Sequence, residues 1–160
     1  MKNLNLSIVL LFTFLLSFSQ SELPDVELKT IDGKKVILSD QLNNEGPTVI
    51  SLWATWCVPC LKELDAISEV YEDWQEETNV KLIAVSIDDS RTVKRVKPLI
   101  NGKDWGYEIL LDVNADLKRA LNASNIPLTV LVKDNKIVYE HMSYVPGAED
   151  ELYEKIKELD

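Results

Sequence analysis

The only two cysteines of the chain share one motif, Trp56-Cys57-Val58-Pro59-Cys60. Two residues between cysteines on a first helical turn bring the sulfurs close enough to bond. A helix amino terminus presents unpaired N–H groups and partial positive charge. That charge favours thiolate over thiol at Cys57. The chemistry is reversible dithiol–disulfide exchange. Cys57 is the expected exposed attacker that forms the mixed disulfide, and Cys60, one turn inside, the resolving thiol. Pro59 suits a first helical turn, where its missing N–H costs nothing. A structural disulfide is the weaker use, because so short a loop constrains the unfolded chain little. Half of a zinc site is weaker too, since zinc normally takes four Cys/His ligands and the chain offers one histidine and no third cysteine.

The flanking sequence supplies elements to hold this motif. Thr48 to Trp53 is a short apolar run rich in β-branched residues and reads as a buried strand directly before it. Val58 to Glu76 reads as a helix, and Lys81 to Asp88 as a second buried strand. Val26 to Leu38 reads as a hairpin turning at Asp32-Gly33. Glu108 to Leu111 is a strand and Leu117 to Leu121 a short helix. Thr129 to Lys133 and Ile137 to His141 flank Asp134-Asn135-Lys136 as an antiparallel pair. Ala148 to Leu159 is amphipathic, with Leu152, Ile156 and Leu159 on one face. The order predicts an α/β layer fold with a mixed sheet covered by helices.

The first 20 residues carry Lys2, an apolar run from Ile8 to Phe18, then small and polar residues. This is the layout of a secretory signal peptide. The run is shorter than the roughly 20 apolar residues of a spanning helix, so an uncleaved anchor is the second reading. One domain is expected over 24–160. The net charge of -10 disfavours a phosphate backbone as partner.

The stretch VISLWATWCVPC resembles the active-site strand and helix start of the thioredoxin superfamily. The signal peptide, the amino-terminal hairpin and an extra segment at about 88–113 resemble its exported TlpA/ResA-like branch. The resemblance implies a thioredoxin-like three-layer fold with a mixed central sheet, an N-terminal β-hairpin and a central αβ insertion. It also carries three further positions over. Pro127 matches the cis-proline that faces the disulfide in the family, which leaves the backbone of Ile126 free to pair with a substrate strand. Glu63 matches the glutamate three residues after the second cysteine. At about 100° per residue it falls on the arc of Cys60, Leu64, Ile67, Val70, Tyr71 and Trp74, placed to take or give the proton of Cys60. Trp56 matches a tryptophan packed beside the first cysteine, the other reading being a surface aromatic near a turn. Many cytosolic thioredoxins have a buried aspartate where this chain has Ser51, so the proton-handling role moves to Glu63.

The expected activity is thiol-disulfide exchange outside the cytosol, in the bacterial periplasm, and the resemblance implies net reduction of client proteins bearing cysteine pairs. Cytochrome c maturation is one such setting. The resemblance also implies recharging by a membrane thiol donor, and the protein is expected to work as a monomer without cofactor or metal. A peroxiredoxin-like peroxidase is a rival, but that site places Thr-x-x-Cys and Thr55 stands only two residues before Cys57. A copper-binding chaperone is another, with His141 as its only candidate histidine. His141 otherwise reads as a satisfied or exposed side chain away from the motif. Arg91, Lys94, Arg95 and Lys97 read as a solvated helix face, with Pro98 kinking or ending the helix.

Overall fold

The computed structural model describes residues 21–159. The signal peptide expected over 1–20 lies outside the described residues. Among the described residues seven strands form one sheet: β1 (Glu27–Thr30), β2 (Lys35–Ile37), β3 (Thr48–Trp53), β4 (Lys81–Ser86), β5 (Glu108–Leu111), β6 (Leu128–Lys133) and β7 (Lys136–Met142). Their order is β2-β1-β5-β4-β3-β6-β7. β3, β4 and β5 run parallel, and the pairs β3–β6, β6–β7, β1–β2 and β1–β5 are antiparallel. Among the described residues four α-helices accompany them: α1 (Val58–Thr78), α2 (Val96–Ile100), α3 (Asp116–Ala120) and α4 (Ala148–Lys157). The fold is thioredoxin-like, with the amino-terminal hairpin added at one edge through β5 of the central insertion.

β3 is buried along its whole length. Successive side chains of a strand point to opposite faces, so Val49, Ser51 and Trp53 face one way and Ile50 and Leu52 the other. All five are 0% exposed, which places the sheet centre under cover on both sides. α1 covers the Ser51 face with Cys60, Glu63, Leu64, Ile67, Tyr71 and Trp74. Its far end meets α4, where the rings of Trp74 and Tyr153 stack. The amide of Leu82 donates to the Tyr71 hydroxyl. The insertion is tied down on the same side. Trp105 and Lys103 both donate to Asp65 of α1, and the Tyr107 hydroxyl donates to the Leu64 carbonyl.

The first hairpin turns through Gly33 at φ 84°, with Gly33 N–H donating to the Thr30 carbonyl. That left-handed backbone is the reason a glycine stands there. α1 runs two residues beyond the expected Glu76 and ends on Asn79 in the left-handed conformation. The basic segment is a 3-10 turn at Val93–Arg95 followed by the short α2. Pro98 does not end that helix, which continues to Ile100. It sits within the first turn of α2, where its nitrogen has no intrahelical partner to lose. Arg91 and Lys97 pair with Asp89 and Asp32 at the surface.

Asp112, just after β5, is 2% exposed and accepts the N–H groups of Asp116 and Lys118 at the start of α3. Burial pushes its carboxyl above the ordinary value, although these N–H bonds pull the other way. The folded state therefore binds this proton more tightly than the unfolded state does. Its contribution to stability is greatest in acid and declines as pH rises from about 4 through the raised folded value. Denaturation curves at a series of pH values should show Asp112→Asn losing this part of the slope. A variant whose stability profile runs parallel to wild type would contradict the assignment.

Candidate redox site

β3 delivers the chain into a turn, Ala54-Thr55-Trp56, closed by Cys57 N–H on the Ala54 carbonyl. Cys57 then serves as the amino-terminal cap of α1, and its Sγ accepts the Cys60 N–H at 3.3 Å. The two sulfurs are bonded, with the Cα atoms 5.3 Å apart. Pro59 lies in the first turn. A thiolate released at Cys57 keeps the helix amino terminus beside it, the electrostatic setting that stabilises it.

Cys57 is 5% exposed and Cys60 0%. Cys57 is thus the outer sulfur, but it is not openly exposed as the sequence suggests. It sits at the floor of a cleft between Trp56, Val58 and Pro59 on one side and Ser124, Asn125 and Ile126 on the other. Trp56 is 56% exposed and Val58 61%, so the cleft has an apolar rim open to solvent. The Ile126–Pro127 peptide bond is cis, and the Ile126 carbonyl oxygen lies 3.8 Å from Cys57 Sγ. Cys57, Trp56, Ile126 and Pro127 therefore meet at one place.

Glu63 lies below this cleft, 1% exposed, as its place on the apolar arc requires. Its carboxylate accepts from the hydroxyls of Ser51 at 3.2 Å and Thr129 at 3.0 Å, and His141 Nε2 is 2.8 Å away. Among the described residues none of its hydrogen bonds goes to Cys60. The glutamate reaches from the helix to the strand position, Ser51, that carries the aspartate in cytosolic thioredoxins.

Two participants escape the sequence reading. His141 is distant from Cys57 in sequence, and only the β6–β7 register brings it to Glu63. Asp88 is 0% exposed. It accepts from the Thr55 N–H at 2.8 Å, the Thr55 hydroxyl at 2.6 Å and the Ser86 hydroxyl at 2.8 Å. It thereby holds the turn that presents Cys57. The one available signal was an acidic residue closing an otherwise apolar strand, Lys81 to Asp88.

Comparisons with known proteins place these features. The family described as AhpC/TSA matches residues 20–141. The chain is 32% identical over 121 residues to thiol-disulfide oxidoreductase ResA of Oceanobacillus iheyensis, covering 73% of this chain and 60% of that protein. It is 28% identical over 108 residues to sporulation thiol-disulfide oxidoreductase A of Bacillus subtilis, covering 67% and 63%. The chain thus spans less than two thirds of the length of these curated relatives. Among solved structures, a thioredoxin-like protein from Porphyromonas gingivalis is similar at 53% identity and a TM-score of 0.76, over 86% of this chain and 90% of that one. A thiol:disulfide interchange protein DsbE from Chlorobium tepidum shares the fold at 19% identity and a TM-score of 0.75, over 87% and 95%. A Cys-x-x-Cys helix start facing a cis-proline, on a sheet of this topology and with most of its length matched, makes the chain a member of the AhpC/TSA family with a thioredoxin-like fold.

Proposed function

We propose that the protein is a thiol-disulfide oxidoreductase that exchanges disulfides with client proteins, working outside the cytosol and in the reductive direction. The observation that carries this is the Cys57–Cys60 disulfide at the amino terminus of α1, opposite the Ile126–Pro127 backbone. The reduced Cys57 attacks a client disulfide and forms a mixed disulfide. Cys60 then gives up its proton and attacks Cys57 Sγ, and the client sulfur leaves with the electron pair. Glu63, one helical turn from Cys60, takes that proton directly or through one water. The exposed rim of Trp56 and Val58 gives apolar contact to a client segment lying along Ile126. Export rests on the signal peptide layout of the first 20 residues; no helix among the described residues is long and apolar enough to cross a membrane. Recharging by a membrane thiol donor completes the cycle.

Two observations favour exchange over the rivals. The Thr55 hydroxyl is held by Asp88 rather than turned to a sulfur, and His141 offers Nε2 to Glu63. The decisive measurement is the reduction potential of the Cys57/Cys60 pair. A value near the roughly -270 mV of thioredoxin is expected. A value near the roughly -120 mV of a strong oxidant would overturn the reductive direction.

A further inference from the structure

The carboxylate of Glu63 rests on a row of polar side chains that crosses three strands. Ser51 of β3 is in register with Thr129 of β6, and Thr129 with His141 of β7. Residues directly opposite one another share a face of the sheet. Thr129 Oγ1 lies 3.1 Å from Ser51 Oγ, and both hydroxyls reach Glu63. Ser51 and Thr129 are 0% exposed, the Glu63 side chain 1% and the His141 side chain 16%. β7 is an edge of the sheet. The row therefore starts in the centre of the core and reaches solvent at His141.

The ring of His141 has one nitrogen on Glu63 and one without a partner. Nε2 lies 2.8 Å from Glu63 Oε1, whereas Nδ1 is buried and unpaired. A buried N–H without an acceptor costs more than a bare lone pair. The tautomer that leaves only a lone pair at Nδ1 carries its hydrogen on Nε2, where it is donated to Oε1.

We infer that His141 is a positioning residue for the redox centre: it pins Oε1 of Glu63, and it couples the protonation of that carboxylate to an imidazole at the sheet edge. The inference rests on the exchange reading. Cys60 loses its S–H proton to Glu63, its sulfur bonds to Cys57 Sγ, and the bond from Cys57 to the client sulfur breaks. The electron pair leaves on the client sulfur, which takes a proton from solvent. Glu63 releases that proton to solvent before the next turnover, so hydrogens and electrons balance over the cycle.

The groups around the pair come from every neighbouring element. α1 contributes Cys60 as well as Glu63, β3 Ser51 and β6 Thr129. On β7 the Tyr139 ring is 5.8 Å from His141, with its hydroxyl on Glu151. Tyr144 follows β7 with its hydroxyl on Glu149. Burial, then Glu149 and Glu63, push Tyr144 up to about 12. Tyr107 is raised chiefly by burial, with the charges of Asp65 and Glu63 adding to it. Both tyrosines keep their protons through the neutral range and do not obscure a signal from the pair.

His141 is the one histidine of the chain, so its imidazole resonances need no assignment. The test is an NMR titration of the 15N-labelled protein, oxidised and then reduced with dithiothreitol. The histidine midpoint should move on reduction, and should fall in Glu63→Gln, where the adjacent negative charge is gone. A second arm measures glutathione release from a Cys57–glutathione mixed disulfide across pH. His141→Gln should slow release by about tenfold to a hundredfold, less than the full ~10²–10⁴ of a direct acid–base group. Adding it to Glu63→Gln should cost almost nothing more, because the two act as one unit. Identical histidine midpoints in both redox states, a His141→Gln profile that superimposes on wild type, or full additivity would each overturn the inference. A wild-type protein that neither forms nor resolves the mixed disulfide would instead overturn the exchange reading, and this inference with it.

Discussion

Cys57→Ser should reduce client disulfide exchange to the uncatalysed background, a loss on the order of 10⁴-fold or more, because it removes the nucleophilic step itself. Cys57 is the sulfur at the cleft floor, 3.8 Å from the Ile126 carbonyl. Cys60 is 0% exposed behind it and cannot substitute as the attacker. A serine hydroxyl neither ionises in the working range nor bonds reversibly to a client sulfur. Cys60→Ser should behave differently. Its Cys57 still attacks, but the mixed disulfide has no resolving thiol and accumulates. Intact mass spectrometry after incubation with a disulfide-bonded protein should show the adduct in Cys60→Ser and none in Cys57→Ser. Adducts on Cys57→Ser, with Cys60→Ser inert, would reverse the two roles.

The largest stability effect is expected at Asp88. Its two oxygens accept three hydrogen bonds, from the Thr55 N–H, the Thr55 hydroxyl and the Ser86 hydroxyl. Ser86 is itself 0% exposed, so truncation leaves a donor that water cannot reach. Each buried donor stranded in this way costs about 1–3 kcal/mol. Burying the carboxylate carries its own desolvation cost, which truncation relieves. The net expectation for Asp88→Ala is about 3 kcal/mol, read as a lowered urea midpoint of the disulfide form. Asp88→Asn should lose less, since its amide oxygen still accepts while its NH₂ faces donors. Because Thr55 precedes Cys57 by two residues, the alanine variant should also shift the reduction potential. An unchanged midpoint together with an unchanged potential would refute the positioning role of Asp88.

Much of the fold is legible in local pattern. The apolar runs 48–53 and 81–86 form strands because they are buried on both faces, where alternation disappears and β-branched residues accumulate. The periodicity of 58–76 places Glu63 on the covered face, since a helix fixes the angular position of every side chain. The Asp32-Gly33 turn shows because only certain residues tolerate its backbone. Pro98 misleads because a proline reads alike as the end of one helix and as the first turn of another, and only the switch from 3-10 to α geometry decides it.

The sequence by itself determines the cysteine pair, its place at a helix start after a buried strand, and the burial of Glu63. All three depend on spacing within one short segment, which covalent geometry and helical periodicity convert directly into position. The tertiary structure alone decides what those groups touch. Asp88 reaches Thr55 because β4 lies parallel to β3, and His141 reaches Glu63 because β7 pairs in register with β6 at the sheet edge. Strand order and register are set by the packing of the whole core, and no local pattern around His141 or Asp88 encodes which distant side chain will lie opposite. The chemistry of the site is therefore written in one segment, and its support comes from strands whose meeting only the fold arranges.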